Sequence, residues 1–231
     1  MIQCADMQSD ATQNYLKDPL NQPCTFYIVR HGLTEWNKAK KIQGLSDIPL
    51  AEEGVKQAQE RALTLKNIPF AAVFSSDLIR AKQTAEILAA DHNLIVKTNQ
   101  LLREKSFSQY EGKQVDEFRA ELKELLDLRA TLSHEENLRF KFAPNIESDE
   151  EASQRFILII REAAEAYPGQ SVLMVSHGAM MYALLAKLGI LTFGNSAAGR
   201  IENLGYCIIE SDGADFRVTG MVGITDQQPI V

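Results

Sequence analysis

The sequence predicts an α/β protein: a three-layer α/β/α sandwich with a mostly parallel central sheet, one antiparallel edge strand and a helical cap insertion. Three observations carry this reading. Residues 26–29 and 171–175 are short apolar runs of the kind that form strands buried on both faces, as parallel strands are. Segments with apolar residues at helical spacing separate the strand-like runs, the order expected of a parallel sheet covered by helices. Residues 200–210 and 216–221 flank Asp212-Gly213, a hairpin signal that adds an antiparallel edge.

Taken in order, residues 1–23 are polar, lack sustained periodicity and read as a flexible N-terminal extension. Residues 24–231 then form a single domain. After the first strand a loop runs over 38–49 with Gln43-Gly44 at its centre. Val55, Ala58, Ala62 and Leu65 predict a helix over 52–66 that ends before Pro69. Ala51 stands where a Ser or Thr cap would contribute ~1 kcal/mol. A strand follows at 70–74, and Ser76-Asp77 is expected to cap a helix whose buried stripe is Leu78, Ala81, Ala85 and Leu88.

Residues 95–97 are a short strand, and Leu101-Leu102-Arg103-Glu104 leads into a loop with Gly112. Val115, Phe118, Leu122, Leu125 and Leu126 predict one amphipathic helix. The polar stretch 133–145 reads as irregular, with His134 exposed, and a further helix covers 149–166 with Phe156, Ile159, Ile160 and Ala163 inward. Together residues 113–166 read as the helical cap insertion. A helix over 177–188 then starts directly from the 171–175 strand.

Composition narrows the function. A chain of 231 residues with 45% hydrophobic and 24% charged residues is that of a soluble globular protein. The net charge of −7 disfavours general binding to nucleic acid or to acidic membranes. No apolar run approaches the ~20 residues of a membrane helix, and no signal peptide is visible. Cys4, Cys24 and Cys207 have no paired spacing, which suits a reducing, cytoplasmic setting and gives no zinc motif.

The chemistry is concentrated at two strand ends. Residues 26–29 run into Arg30-His31-Gly32, and 171–175 into Ser176-His177-Gly178, so two of only four histidines share one context. Open α/β sheets bind ligands at the carboxyl ends of their strands, and two such ends argue for one pocket. Arg30 offers a planar fork of donors to phosphate oxygens. His31 offers a ring nitrogen that can attack phosphorus or carry a proton, and Gly32 a tight turn. Arg80 sits in the first turn of its helix, the wrong sign for that end unless an anion lies between them.

Four blocks stand in sequence: Arg30-His31-Gly32 with Thr34 and Asn37; Ser75-Ser76-Asp77-Leu78-Ile79-Arg80-Ala81-Lys82-Gln83-Thr84-Ala85; Leu102-Arg103-Glu104; and Ser176-His177-Gly178. In type and order they resemble the histidine phosphatase superfamily, the phosphoglycerate mutase-like group, from about Thr25 to the C-terminal strands. The resemblance implies a metal-independent phosphatase without cofactor, acting on a small phosphorylated metabolite through a phosphohistidine on His31. It implies that Arg30, Arg80 and His177 hold the phosphoryl group and that Glu104 is the proton donor. Thr34, Asn37, Gln43, Gly44 and Gly178 would complete the substrate pocket. The cap insertion would choose the substrate. Two departures stand out: Leu33 where phosphatase relatives place Glu or Gln, and Ser108 where they often place Gly. A phosphoglycerate mutase and a non-catalytic phospholigand-binding protein are the competing readings. The mutase reading is weakened because no two arginines are adjacent between Lys113 and Ala166, where a carboxylate clamp would lie.

Overall fold

The computed structural model describes residues 22–193 and 201–225. The predicted N-terminal extension up to residue 21, with Cys4, lies outside them, as do Arg200 and residues 226–231. Six strands form one sheet: β1 (Cys24–Arg30), β2 (Phe70–Ser75), β3 (Val96–Thr98), β4 (Ser171–Ser176), β5 (Ile201–Ser211) and β6 (Phe216–Ile224), in the order β3-β2-β4-β1-β5-β6. The β3, β2, β4 and β1 strands are parallel, and the β5–β6 hairpin adds the antiparallel part at the β1 side.

Eight helices accompany the sheet among the described residues: α1 (Glu35–Lys38), α2 (Glu52–Leu65), α3 (Ile79–Ala89), α4 (Val115–Glu121), α5 (Lys123–Thr131), α6 (His134–Arg139), α7 (Asp149–Ala166) and α8 (Gly178–Lys187). None is long and apolar enough to cross a membrane.

Strand periodicity decides which helices cover which face. Phe26 and Ile28 of β1 and Val172 and Met174 of β4 point to one side, where they join Phe156 and Ile160 of α7 and Met181 and Leu184 of α8. Val29, Leu173 and Val175 point to the other, against Ala58 and Leu65 of α2 and Ala81, Ala85 and Leu88 of α3. Both β1 and β4 are apolar on both faces because both faces are covered. Each fully buried side chain of this kind contributes ~1.5–3 kcal/mol.

Several boundaries depart from the sequence reading. The single helix expected from Val115 to Leu126 is two, because Leu122 leaves helical geometry at φ −105° and ψ 17°. Its side chain is still buried, with Ile42, Tyr110, Phe118 and Ile146, in a third apolar cluster. The stretch expected to be irregular contains α6, started by Ser133, whose hydroxyl accepts from the Glu136 amide. The short β3 lies one residue later than expected. Within the insertion expected at 113–166, α4 and α5 gather around the third cluster, whereas α6 supplies Leu138, and α7 Phe156 and Ile160, to the main core.

Candidate active site

Parallel pairing in equal register builds the centre of the site. Thr25 lies beside Ser171 and Arg30 beside Ser176, so the next residue of each strand is a histidine. The His31 amide donates to the Ser176 carbonyl at 3.0 Å, and the two imidazoles meet edge to face with centroids 5.2 Å apart. His31 is 2% exposed and His177 fully buried.

The two rings are held differently. Nδ1 of His31 lies 2.8 Å from the Gly32 carbonyl, so Nδ1 carries the proton and Nε2 the lone pair. Among the described residues, neither ring nitrogen of His177 has a hydrogen-bond partner. Burial, then Arg80 and Arg30, push the His31 pKa well below its ordinary value, against the Gly32 bond. Burial, then Arg80, His31, Arg155 and Arg30, do the same at His177. Both imidazoles are therefore neutral near pH 7.

Two arginines close the sides. Arg30 donates from Nη1 to the Ile201 carbonyl at 2.5 Å, and its buried Nε has no hydrogen-bond partner among the described residues. A Cβ on Gly178 would lie 3.1 Å from that Nε, so the glycine lets the guanidinium lie against the start of α8. Arg80 is fully buried and donates to the Gly44 and Ser46 carbonyls at 2.7 Å each, while its Nε is also unpartnered among the described residues. Burial pushes its pKa down to about 10, opposed by Glu104 and Asp47.

The pocket loop is organised around these groups. Thr34 caps α1 in a reciprocal box with Asn37 and donates to Gln43 at 3.1 Å. Gly44 has φ +52°, and a side chain there would collide with Glu111, whose carboxylate accepts from the Leu45 and Ser46 amides. Asn203 reaches the pocket from β5: its Nδ2 donates to the His31 carbonyl at 3.0 Å.

Glu104 is buried beside the start of α8. Its Oε2 accepts from the Ala179 amide at 3.1 Å, and its Oε1 from Met180 and Lys105, both at 2.9 Å. A carboxylate suits this position because the first amides of a helix lack internal partners. The structure thus brings Arg30, His31, Arg80, Glu104, His177 and Gly178 together at one end of the sheet, with Thr34, Asn37, Gln43 and Gly44 bonded into the adjoining loop. Among the described residues, no set of three or more His, Cys, Asp and Glu side chains is arranged to hold a metal ion.

One expectation is corrected, and several supporting residues were missed. Asp77 does not cap α3; it forms a two-point ion pair with Arg103 at 2.7 and 2.6 Å. The cap comes from Asp47, whose Oδ1 accepts from the Ile79 amide at 2.6 Å, and Ser76 accepts from Leu78. The Thr84 hydroxyl, buried on α3, accepts from the Gly32 amide at 3.0 Å and fixes the first His-Gly turn. Gly54 admits that turn onto α2, since a Cβ there would lie 2.1 Å from the Leu33 carbonyl. A glycine within an amphipathic helix was the available signal. Arg155 grips the chain before Glu104, and an arginine beside the inward-facing Phe156 was its signal.

The chain is 33% identical over 161 residues to "Uncharacterized phosphatase PhoE" of Bacillus subtilis (strain 168), covering 70% of this chain and 75% of that protein. It is 35% identical over 162 residues to "Probable phosphoglycerate mutase GpmB" of Yersinia pestis (strain Pestoides F), covering 70% and 73%. The structure of Bacillus stearothermophilus YhfR superposes with a TM-score of 0.73 at 28% identity, over 87% of this chain and 98% of that one. The family model of the histidine phosphatase superfamily (branch 1) matches residues 26–222, and the chain belongs to that superfamily.

Proposed function

We propose that this protein is a metal-independent phosphomonoesterase that hydrolyses a small phosphorylated metabolite through a phosphohistidine on His31. The observation that supports it most is a set of four buried nitrogens without hydrogen-bond partners among the described residues: Nε of Arg30, Nε of Arg80, and both ring nitrogens of His177. An unsatisfied buried polar group costs ~1–3 kcal/mol, and these belong to the imidazole packed on His31 and to the two arginines whose charge acts on it. A phosphoryl group between them would accept from both guanidinium groups and from His177.

In this mechanism Nε2 of His31 attacks phosphorus in line, and the phosphorus–oxygen bond to the leaving group breaks as the phosphorus–nitrogen bond forms. Glu104 gives its proton to the departing oxygen. Arg30, Arg80 and His177 hold the equatorial oxygens, over which a loose transition state spreads its charge. Water then attacks the phosphohistidine, Glu104 takes its proton, and phosphate leaves with His31 neutral again. Thr34, Asn37, Gln43, Gly44 and Gly178 shape the pocket around the phosphoryl group and the leaving group. The buried free cysteines, Cys24 and Cys207, suit a cytoplasmic setting.

The test is a panel of phosphorylated metabolites that includes 3-phosphoglycerate, assayed without metal for phosphate release and for isomerisation, with His31→Ala as control. Phosphate release that disappears in the variant is the expected result. Isomerisation without net release would move the protein to the mutases. Undiminished release by His31→Ala would overturn the mechanism.

A further inference from the structure

Arg155 lies on α7 beside the buried Phe156, with its side chain 19% exposed, and each of its five N–H groups is used. Nη1 donates to the Leu101 and Arg103 carbonyls, both at 2.7 Å, and Nη2 to the Glu104 carbonyl at 3.1 Å. The remaining two, from Nε and Nη2, go to the Glu147 carboxylate at 2.7 and 3.0 Å. Three carbonyls from four consecutive residues thus converge on one planar cation, which a carboxylate fixes from behind. The Ser176 hydroxyl takes the fourth carbonyl, that of Leu102, at 2.9 Å. This segment needs such support: it is a short 3-10 turn followed by extended chain, with no sheet or helix ladder of its own.

We propose that Arg155, locked by Glu147, is a positioning residue for proton transfer: it sets the main chain of residues 101–104 so that the Glu104 carboxyl group meets the leaving-group oxygen. The inference rests on the phosphatase reading above. The backbone is what matters because the Glu104 side chain spans a short gap to the start of α8, with bonds of 2.9–3.1 Å on both oxygens. A main-chain shift of about 1 Å would take the acid out of reach, and such displacements cost ~10²-fold in rate. Lysine cannot substitute, since three donors on a flexible stem do not reproduce a five-donor plane. Arg155 also lies close enough to His177 for its charge to disfavour a protonated ring, so removing it alters both partners of the phosphoryl group's surroundings.

The test separates positioning of the acid from general damage by varying the leaving group. Phosphoryl transfer to the enzyme is measured in single turnovers with two probes: p-nitrophenyl phosphate, whose leaving group needs no proton, and glycerol 3-phosphate, whose leaving group does. Arg155→Lys should slow transfer from glycerol 3-phosphate ~10²-fold, the lower range for loss of a positioned acid, and from p-nitrophenyl phosphate less than ~5-fold. Glu104→Gln should show the same selectivity, and the affinity of Arg155→Lys for inorganic phosphate should stay within about twofold of the parent. Equal losses on both probes, or no loss on either, would overturn the proposal. Glu147→Gln keeps the guanidinium and removes its lock, and it should slow glycerol 3-phosphate selectively, by ~10-fold. If Arg155→Lys fails to fold, that variant decides, and unselective loss rejects the idea. Absence of transfer in the unmodified protein would instead reject the phosphatase reading, and this inference with it.

Discussion

The two His-Gly turns are alike in sequence and opposite in their surroundings. At the end of β1, His31 is tied through Nδ1 to the Gly32 carbonyl, and the Gly32 amide is tied to Thr84. Gly32 packs against backbone, where a Cβ would lie 2.8 Å from the Gly54 carbonyl. At the end of β4, neither nitrogen of the His177 ring has a hydrogen-bond partner among the described residues, and Gly178 packs against the end of the Arg30 side chain. A nucleophile needs one tautomer and one orientation before substrate arrives. A charge-binding imidazole can find its partner in the substrate. Under the proposed mechanism the rigid turn would hold the nucleophile and the unsatisfied one would meet the phosphoryl group.

The largest expected difference is catalytic. His31→Ala should lower turnover by at least ~10⁴-fold and leave no trapped phosphoenzyme, because no other group can form the covalent bond. His177→Ala should cost ~10²–10³-fold, the typical loss for one charge-stabilising group, with phosphoenzyme still trapped by rapid quench. Loss of trapping in both variants would erase the distinction between the turns.

Stability separates the two glycines. Gly32→Ala drives a methyl into a carbonyl that cannot yield, and should cost ~1–3 kcal/mol in denaturant unfolding. Gly178→Ala presses only on a side-chain end at 3.1 Å, so stability should change by less than ~1 kcal/mol while phosphate affinity falls. Equal destabilisation by both would mean that the second turn is as rigid as the first.

The pH dependence of folding tests whether both rings are held neutral. In the folded protein their pKa values lie well below the ordinary one, whereas the unfolded chain takes up protons near pH ~6.5. Below that pH the unfolded state binds more protons, so stability falls as pH falls; above it the contribution is constant. Each ring contributes up to ~1.4 kcal/mol per pH unit in that window. Unfolding at pH 7.5 and 5.5 should show a shallower loss in His177→Asn than in the parent. An unchanged slope would contradict a neutral His177.

The smallest effect lies outside the turns. Ser108 has φ +50°, a left-handed conformation costing ~1–2 kcal/mol for a side chain other than glycine. Ser108→Gly should raise stability by ~0.5–1 kcal/mol after the entropy of glycine is allowed for. A fall in melting temperature would show that the Asn145 contact to the Ser108 hydroxyl outweighs the strain.

How much was legible follows residue chemistry. Strands buried on both faces could be read from 26–29 and 171–175 because such strands need apolar residues at every position. Arg30, His31 and His177 stood out at the two strand ends and Arg80 at a helix start, whereas Glu104 was singled out only by the family resemblance. The break at Leu122 was not, since its residues carry an unbroken helical pattern, and the side chain is buried in the third cluster on both readings. Nor was the cap of α3: Asp77 adjoins the helix but pairs with Arg103, and Asp47 takes its place from 32 residues away.

Arg155 marks the boundary between the two kinds of information. The sequence by itself determined the α/β layering and the two strand-end histidines, because each depends on local pattern or on intrinsic chemistry. Tertiary structure alone decided which imidazole is tethered, which arginine nitrogens stay open and which carbonyls Arg155 grips. Those choices depend on distances between segments brought together by folding, and a hydrogen bond reaches only ~3 Å.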